Sequence, residues 1–105
     1  MSNTFGTDII IQSEDPEAAA RFYVEQLGFE ITGRAANLIS IHGPDINFFV
    51  ERGPRLGPVF ELHVGDVAAA KARLLAQGCK VIKDEPGFPR CYMQDPHGLM
   101  YNLAP

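Results

Sequence analysis

The sequence predicts an α+β fold in which two copies of one βαβββ unit are joined by a short linker. Three observations predict it: an internal repeat, one amphipathic helix in each copy, and four strand-like runs around each helix. The chain has 105 residues, of which 46% are hydrophobic, and this is typical of one globular domain. We expect a single domain over residues 1–105, with module one at about 7–52, a linker at 52–58 and module two at about 59–105.

Each copy contains a helix that is predicted to begin at an aspartate and to end at a glycine. Asp15 and Asp66 lie 51 residues apart, and Gly28 and Gly78 lie 50 apart. An aspartate carboxylate accepts hydrogen bonds from the first turn of a helix, and glycine adopts the left-handed conformation that ends one. Apolar residues at helical spacing indicate one buried face on each helix. They are Ala19, Phe22, Tyr23 and Leu27 in the first copy, and Val67, Ala70 and Leu74 in the second.

Strand-like runs surround each helix and are separated by turns rich in glycine and proline. The segment Arg52–Pro58 contains two glycines and two prolines, so it can continue neither a helix nor a central strand, and we assign it as the linker. The predicted strands are Asp8–Ser13, Phe29–Arg34, Asn37–His42 and Asp45–Glu51 in the first copy, and Val59–Val64, Lys80–Asp84, Arg90–Gln94 and Leu99–Leu103 in the second.

Three segments at the right distances resemble the vicinal oxygen chelate superfamily, which includes glyoxalase, bleomycin resistance protein and extradiol dioxygenase. The segments are DPEAAARFYVEQLGFEI, ELHVGDVAAAKARLLAQGCKV and DPHGLMYNL, and the resemblance covers essentially the whole chain. It implies the glyoxalase/bleomycin resistance-like fold, in which the two modules form a curled mixed sheet around a cup, with the helices on the convex face. For a small single-domain member it also implies a homodimer.

Composition excludes several classes of partner. The net charge is -4 and the nine basic residues form no stripe, so we expect no binding to nucleic acid. No apolar run is long enough to cross a membrane, and the first residues lack the pattern of a signal peptide, so we expect a cytoplasmic protein. Cys79 and Cys91 lack a C-x-x-C spacing and are predicted to lie at opposite ends of a hairpin, both reduced.

Alternation along the strands sorts the side chains of each strand into those that face the helix and those that face the cup. In Val59–Val64, for example, Phe60, Leu62 and Val64 should face the helix. In the last strand, Leu99, Tyr101 and Leu103 should pack inward. A polar residue on the cup face either binds a ligand or is simply solvated. Glu61 and His63 are also the candidate catalytic residues. The predicted ligand-binding set is Asp8, Gln12, Phe49, Val59, Glu61, His63, Met100 and Asn102.

Metal-dependent relatives, as the resemblance implies, place His, Gln or Glu at four points of the cup. Here these points hold Asp8, Val59, Asn102 and either Phe49 or Glu51, depending on the register of one hairpin. Valine and phenylalanine have no lone pair, and a catalytic divalent ion usually needs three good ligands. We therefore expect no cofactor. The alternative is one divalent metal ion held by a rearranged set, which would consist of Asp8, Glu51, Glu61 and His63.

The resulting prediction is a small-molecule binding protein of the bleomycin-resistance type that sequesters an aromatic or drug-like ligand without a metal, as in antibiotic resistance. An acidic cup would attract a cationic ligand. Four arginines could instead recognise an anion, but nothing groups Arg34, Arg52, Arg55 and Arg90 in the sequence. Two enzymatic alternatives stay open. One is a divalent-metal-dependent lyase, isomerase or dioxygenase, and the other is a metal-free enzyme with His63 and either Glu61 or Asp8 as general base.

Overall fold

The computed structural model describes residues 3–87 and 90–105, and within them it contains two helices and eight strands. This confirms the predicted α+β class and the order βαβββ-βαβββ. The first five elements are β1 (Thr4–Ser13), α1 (Pro16–Leu27), β2 (Glu30–Ala35), β3 (Leu38–His42) and β4 (Asn47–Arg52). The next five are β5 (Val59–His63), α2 (Val67–Ala76), β6 (Lys80–Glu85), β7 (Arg90–Gln94) and β8 (Met100–Ala104).

One compact unit comprises Thr7–Pro58 and is called the first module. Its strands lie in the order β2-β3-β4-β1, with β1 parallel to β4 and the other neighbours antiparallel. Helix α1 covers an aliphatic cluster together with three aromatic rings, because each sheet must bury one face against its helix. The buried members of the cluster are Ala20, Ile39, Ile41 and Val50, and Tyr23, Phe29 and Phe48 pack against them.

The other unit comprises Val59–Pro105 together with the chain up to Gly6, and is called the second module. Its strands lie in the order β5-β8-β7-β6, with β5 parallel to β8. Strand β1 begins four residues earlier than predicted, and its first residues belong to this module. The ring of Phe5 there meets the ring of Phe60 edge-on, with 6.4 Å between their centroids. No helix in the described ranges is long and apolar enough to cross a membrane.

Both helices begin and end as predicted. Asp15 Oδ1 accepts a hydrogen bond from the Ala18 N–H at 3.1 Å, and Asp66 Oδ1 accepts one from the Ala69 N–H at 3.0 Å. Gly28 follows α1 with φ +79°, and Gly78 stands two residues beyond α2 with φ +95°. Both glycines therefore occupy the left-handed region in which a side chain would be strained.

Three predicted core positions are wrong. Phe22 is 56% exposed and Leu27 is 55% exposed, whereas Ala20 is fully buried and Tyr23 packs on the core. The buried face of α1 is therefore centred on Ala20 and Tyr23; Phe22 lies about 100° round the helix from Tyr23, and Leu27 is the last helical residue. Leu99, predicted to pack inward, is also exposed, because β8 begins only at Met100.

The two cysteines are free and buried. Cys79 directly precedes β6, whose first residue, Lys80, pairs with Gln94, while Cys91 pairs with Asp84 near the other end of the same hairpin. Burial raises the pKa of the Cys91 thiol, so this residue stays protonated and is a poor nucleophile at neutral pH.

Candidate functional site

Strand β5 divides its side chains between the two faces of the second module's sheet, as alternation predicts. Leu62 belongs to the core cluster under α2 and Phe60 packs against it. Glu61 and His63 therefore point to the opposite face, together with Val59. Val59 is fully buried, whereas the Glu61 side chain is 24% exposed and the His63 side chain is 41% exposed. Glu61 and His63 are thus the members of this set that solvent or a ligand can reach.

Glu61 and His63 form a close pair. His63 Nε2 lies 2.8 Å from Glu61 Oε1, and His63 Nδ1 lies 3.2 Å from the main-chain oxygen of Pro105. An ionised carboxylate and a main-chain oxygen only accept hydrogen bonds, so the ring nitrogens of His63 are the groups that can donate to them.

Gly6 makes room for this pair. A Cβ atom at Gly6 would lie 3.0 Å from Glu61 Oε1 and 3.1 Å from His63 Nε2. Such distances are tighter than ordinary Cβ contacts, so any larger residue would require the two side chains to shift by a few tenths of an ångström. Neither Gly6 nor the oxygen of Pro105 stood out in the sequence, because alternation reports which way a side chain points and says nothing of backbone atoms.

Two further predicted residues of the second module are less available to a ligand. Asn102 Oδ1 accepts a hydrogen bond from the Cys91 N–H at 2.9 Å, so this amide oxygen already ties β7 to β8. Met100 is buried. Asn102 pairs with Glu61 across β5 and β8, as expected for residues of one face.

In the first module, the predicted polar residues also make structural contacts. Asp8 Oδ1 accepts a hydrogen bond from Asn47 Nδ2 at 3.0 Å. Gln12 Oε1 accepts from the N–H groups of Leu56 and Gly57, at 2.9 and 3.1 Å. Gln12 is only 9% exposed, and it anchors the linker to the end of β1.

Strand register decides which residue of the first module corresponds to Asn102. In the second module Asn102 pairs with Glu61, and the residue 51 positions before Glu61 is Ile10. Ile10 pairs with Phe49, whereas Glu51 pairs with Gln12. Phe49 is therefore the counterpart of Asn102, and the four points at which relatives hold a metal are occupied here by Asp8, Phe49, Val59 and Asn102.

These four residues do not fit a divalent metal ion. Phe49 and Val59 have no lone pair, and the Asn102 oxygen already accepts a hydrogen bond. The rearranged set of Asp8, Glu51, Glu61 and His63 is not supported either. Within residues 3–87 and 90–105, no three His, Cys, Asp or Glu side chains come together in a way that could hold a metal. Of that set, Glu61 and His63 form an ion pair.

Comparison with solved structures gives the same fold at low sequence identity. A glyoxalase/bleomycin resistance protein/dioxygenase superfamily member from Vibrio splendidus is 15% identical, with a TM-score of 0.68 over 95% of this chain and 97% of its own. Methylmalonyl-CoA epimerase from Mycobacterium tuberculosis is 18% identical, with a TM-score of 0.62 over 93% and 87%. An extradiol ring-cleaving dioxygenase from B. fuscum is 22% identical, with a TM-score of 0.63 over 92% of this chain but 31% of the dioxygenase.

These likenesses establish the fold and leave the activity open, because enzymes of different chemistry share it. No curated protein sequence is significantly similar to this chain. The family model of the glyoxalase-like domain matches residues 8–104, which is nearly the whole sequence. The chain therefore belongs to the glyoxalase-like domain family.

Proposed function

We propose that this chain binds a small aromatic or drug-like molecule without a metal ion, at the face of the second module that carries Glu61 and His63. The observation that supports the proposal is the chemistry of the four metal points. Phe49 and Val59 replace two donors, and the oxygen of Asn102 is engaged by the Cys91 N–H. An ion would lack the three ligands it needs, whereas these changes cost an organic ligand nothing.

The accessible carboxylate favours a cationic ligand. The net charge of -4 attracts cations to the chain in general, and Glu61 supplies an acceptor on this face. An ammonium group that binds Glu61 Oε1 competes with His63 Nε2 for the same atom.

Two measurements test the proposal together. Elemental analysis of protein purified without chelators should find no stoichiometric metal, and a stoichiometric divalent ion would overturn the proposal. Calorimetry against a panel of cationic aromatic antibiotics should detect a ligand for the folded protein. Loss of a charged hydrogen bond costs about 1.5–3 kcal/mol, so Glu61→Gln should weaken binding by about tenfold or more.

Glu25→Gln is the matched control, because Glu25 is an exposed glutamate of α1 in the other module. It removes the same charge from the chain, so a general electrostatic effect would appear in both variants. A ligand whose affinity falls equally in both variants, or in neither, would count against a site at Glu61. So would a well-folded protein that binds no member of the panel.

A metal-free proton transfer is the second candidate function, and the Glu61–His63 pair favours it. Glu61 Oε1 is held by His63 Nε2, which leaves Oε2 to take a proton from a carbon acid and to return it. His63 would then be a positioning residue, itself oriented by the oxygen of Pro105. Proton NMR in deuterated water tests this with a panel of simple ketones and 2-oxo acids.

We expect the α-proton signal of the substrate to disappear as the proton exchanges for deuterium. The rate of this exchange should be abolished in Glu61→Gln, reduced in His63→Gln and unchanged in Glu25→Gln. His63→Gln should also alter the pH dependence of exchange, which a merely structural loss would leave alone. Exchange that persists in Glu61→Gln would exclude Glu61 as the base.

A further inference from the structure

The first module contains a cavity of about 390 Å³ that is lined by residues of this module. This volume lies within the range of small-molecule sites, which is roughly 300–1,000 Å³. Strand β1, helix α1 and the linker each contribute to its wall. The lining residues are Ile11, Gln12, Ser13, Ala19, Tyr23, Arg55, Gly57 and Pro58.

The linker is held over this cavity by hydrogen bonds on both sides of Arg55. The Gly53 N–H donates to the Ser13 oxygen at 3.1 Å, and the N–H groups of Leu56 and Gly57 donate to Gln12 Oε1. These hydrogen bonds tie the backbone on both sides of Arg55 to β1 in the free chain. Arg55 is the one charged residue in the wall, and it makes no ion pair or hydrogen bond with the part of the chain that the structure describes.

A second polar group of the cavity wall is also unpaired. Gln12 Nε2 is buried and has no hydrogen-bond partner within the described residues. Its orientation is fixed, because exchanging the two amide atoms would point the NH₂ group at two N–H donors. A buried donor without an acceptor is rare in native proteins, and it indicates a place where an oxygen from outside the chain belongs.

We propose that this cavity binds a small organic monocarboxylate. The guanidinium of Arg55 holds the carboxylate, since arginine matches its two oxygens with two parallel donors. Gln12 Nε2 is the second donor, and Ile11, Ala19 and Tyr23 contact the apolar body. Because Nε2 is covered in the free chain, its hydrogen bond to the ligand requires a small outward shift of the linker. Binding should therefore change the environment of the Leu56 and Gly57 amides.

The surroundings of Arg55 argue against a more highly charged anion. An adjoining cavity of about 430 Å³ shares Ser13 and Arg55 with the first, and Glu14 and Asp15 line it too. Glu14 and Asp15 are both acidic side chains, and Asp15 Oδ1 also accepts a hydrogen bond from the first turn of α1. The repulsion between these acidic side chains and an anion at Arg55 is about twice as strong for a dianion as for a monoanion. Benzoate should therefore bind better than inorganic phosphate.

The probe for this site is benzoate, followed by amide NMR of the ¹⁵N-labelled full chain. We expect saturable shifts at Leu56, Gly57 and Tyr23, with weaker or no shifts for phosphate and for the neutral isostere benzamide. Arg55→Ala should weaken benzoate binding by about tenfold or more, since a charge-assisted hydrogen bond is lost. Arg73→Ala, on α2 of the second module, is the matched control and should bind benzoate as the parent chain does.

Three outcomes would overturn the proposal: no shifts at millimolar benzoate, equal shifts with benzamide, or unchanged affinity in Arg55→Ala. Gln12→Glu is a second variant, in which an oxygen replaces the Nε2 donor. It should weaken benzoate binding while a folded amide spectrum is kept. The result is independent of the proposed function above, because Glu61→Gln should leave benzoate binding intact and Arg55→Ala should leave binding of cationic ligands at Glu61 intact.

Discussion

The two modules have the same order of helices and strands, but their hydrophobic cores are packed differently. In the first, the ring of Phe48 stacks on Phe29 with centroids 4.7 Å apart and meets Tyr23 edge-on at 5.3 Å. In the second, Tyr101 belongs to the core cluster, and Cys79 Sγ lies 3.7 Å from its hydroxyl. The two copies of the repeat therefore share the capping residues and the alternation of the strands, whereas the side chains that pack each core differ.

An ion pair between the helix and a strand also differs between the two modules. In the first module Glu17 of α1 pairs with Arg34 of β2, and in the second Lys71 of α2 pairs with Asp84 of β6. Arg34 and Asp84 lie 50 residues apart, so they hold the same place in the repeat with opposite charge. The strand member of the pair therefore keeps its place with the charge exchanged, whereas the helix members, Glu17 and Lys71, lie two and five residues after their capping aspartates.

The largest expected effect comes from the aromatic stack of the first module. Phe48→Ala removes the ring that contacts both Phe29 and Tyr23, and should lower the free energy of unfolding by about 3 kcal/mol. Phe48→Leu keeps most of the volume and should cost about half as much, because it loses chiefly the ring–ring interactions. Urea unfolding measures both. A loss close to zero in Phe48→Leu would show that the stack adds nothing to simple burial.

Next in size are the two helix caps, which test whether the modules are as alike as they look. Asp15→Ala and Asp66→Ala should each lower the free energy of unfolding by about 1 kcal/mol, because each removes the acceptor for one first-turn N–H. Asparagine at either position keeps a cap and serves as the control. A cost at one position alone, measured by urea unfolding, would break the equivalence of the two helices.

The interior of the second module should make stability depend on alkaline pH. Burial, and next the hydrogen bond with Cys79, raise the pKa of Tyr101 above its ordinary value. The unfolded chain therefore loses this proton first, near pH 10, and the stability of the fold should fall as the pH rises further. Tyr101→Phe removes the ionising group and should flatten this decline in unfolding experiments. A decline that is the same in both proteins would place its origin elsewhere.

The smallest effect concerns the exchanged ion pair. The hydrogen bond from Arg34 is the main cause that lowers the pKa of Glu17, so the pair contributes stability above the ordinary glutamate pKa and loses it as the pH falls through the lowered one. Both side chains are exposed, so the change in stability should be slight. Carboxyl NMR should find the Glu17 pKa raised toward its ordinary value in Arg34→Ala. An unchanged value would mean that the pair does not persist in solution.

Most of the fold could be predicted from the sequence, because its signals are local. Aspartate, glycine and apolar spacing set both helices, and glycine and proline turns set the strand ends to within about two residues, apart from the start of β1. That start, at Thr4, escaped prediction because Thr4 and Gly6 give no clear alternation. The position of the exposed Phe22 was misread because Phe22 and Tyr23 are adjacent aromatic residues, of which only Tyr23 packs on the core.

The candidate site could be predicted only in part. Alternation identified Glu61 and His63 as residues of one face, but their ion pair depends on side-chain conformations that no spacing encodes. The side-chain oxygens of Gln12 and Asn102 accept hydrogen bonds from backbone N–H groups that are distant along the chain, so these contacts could not be predicted from local patterns. Arg55 could not be distinguished from the other arginines in the sequence. It lines the same cavity as Gln12 because the linker folds back over β1, and no local pattern predicts this fold.

The division of β1 between the modules has a consequence for how the chain assembles. Thr4–Gly6, near one end of the sequence, are compact with Val59–Pro105 at the other. The ribosome makes the segment that Phe60 contacts more than fifty residues before Phe60 itself. This part of the second module therefore has to wait for synthesis to reach β5, and a fragment that starts at Val59 would lack Phe5, which contacts Phe60, and Gly6, which lies beside Glu61.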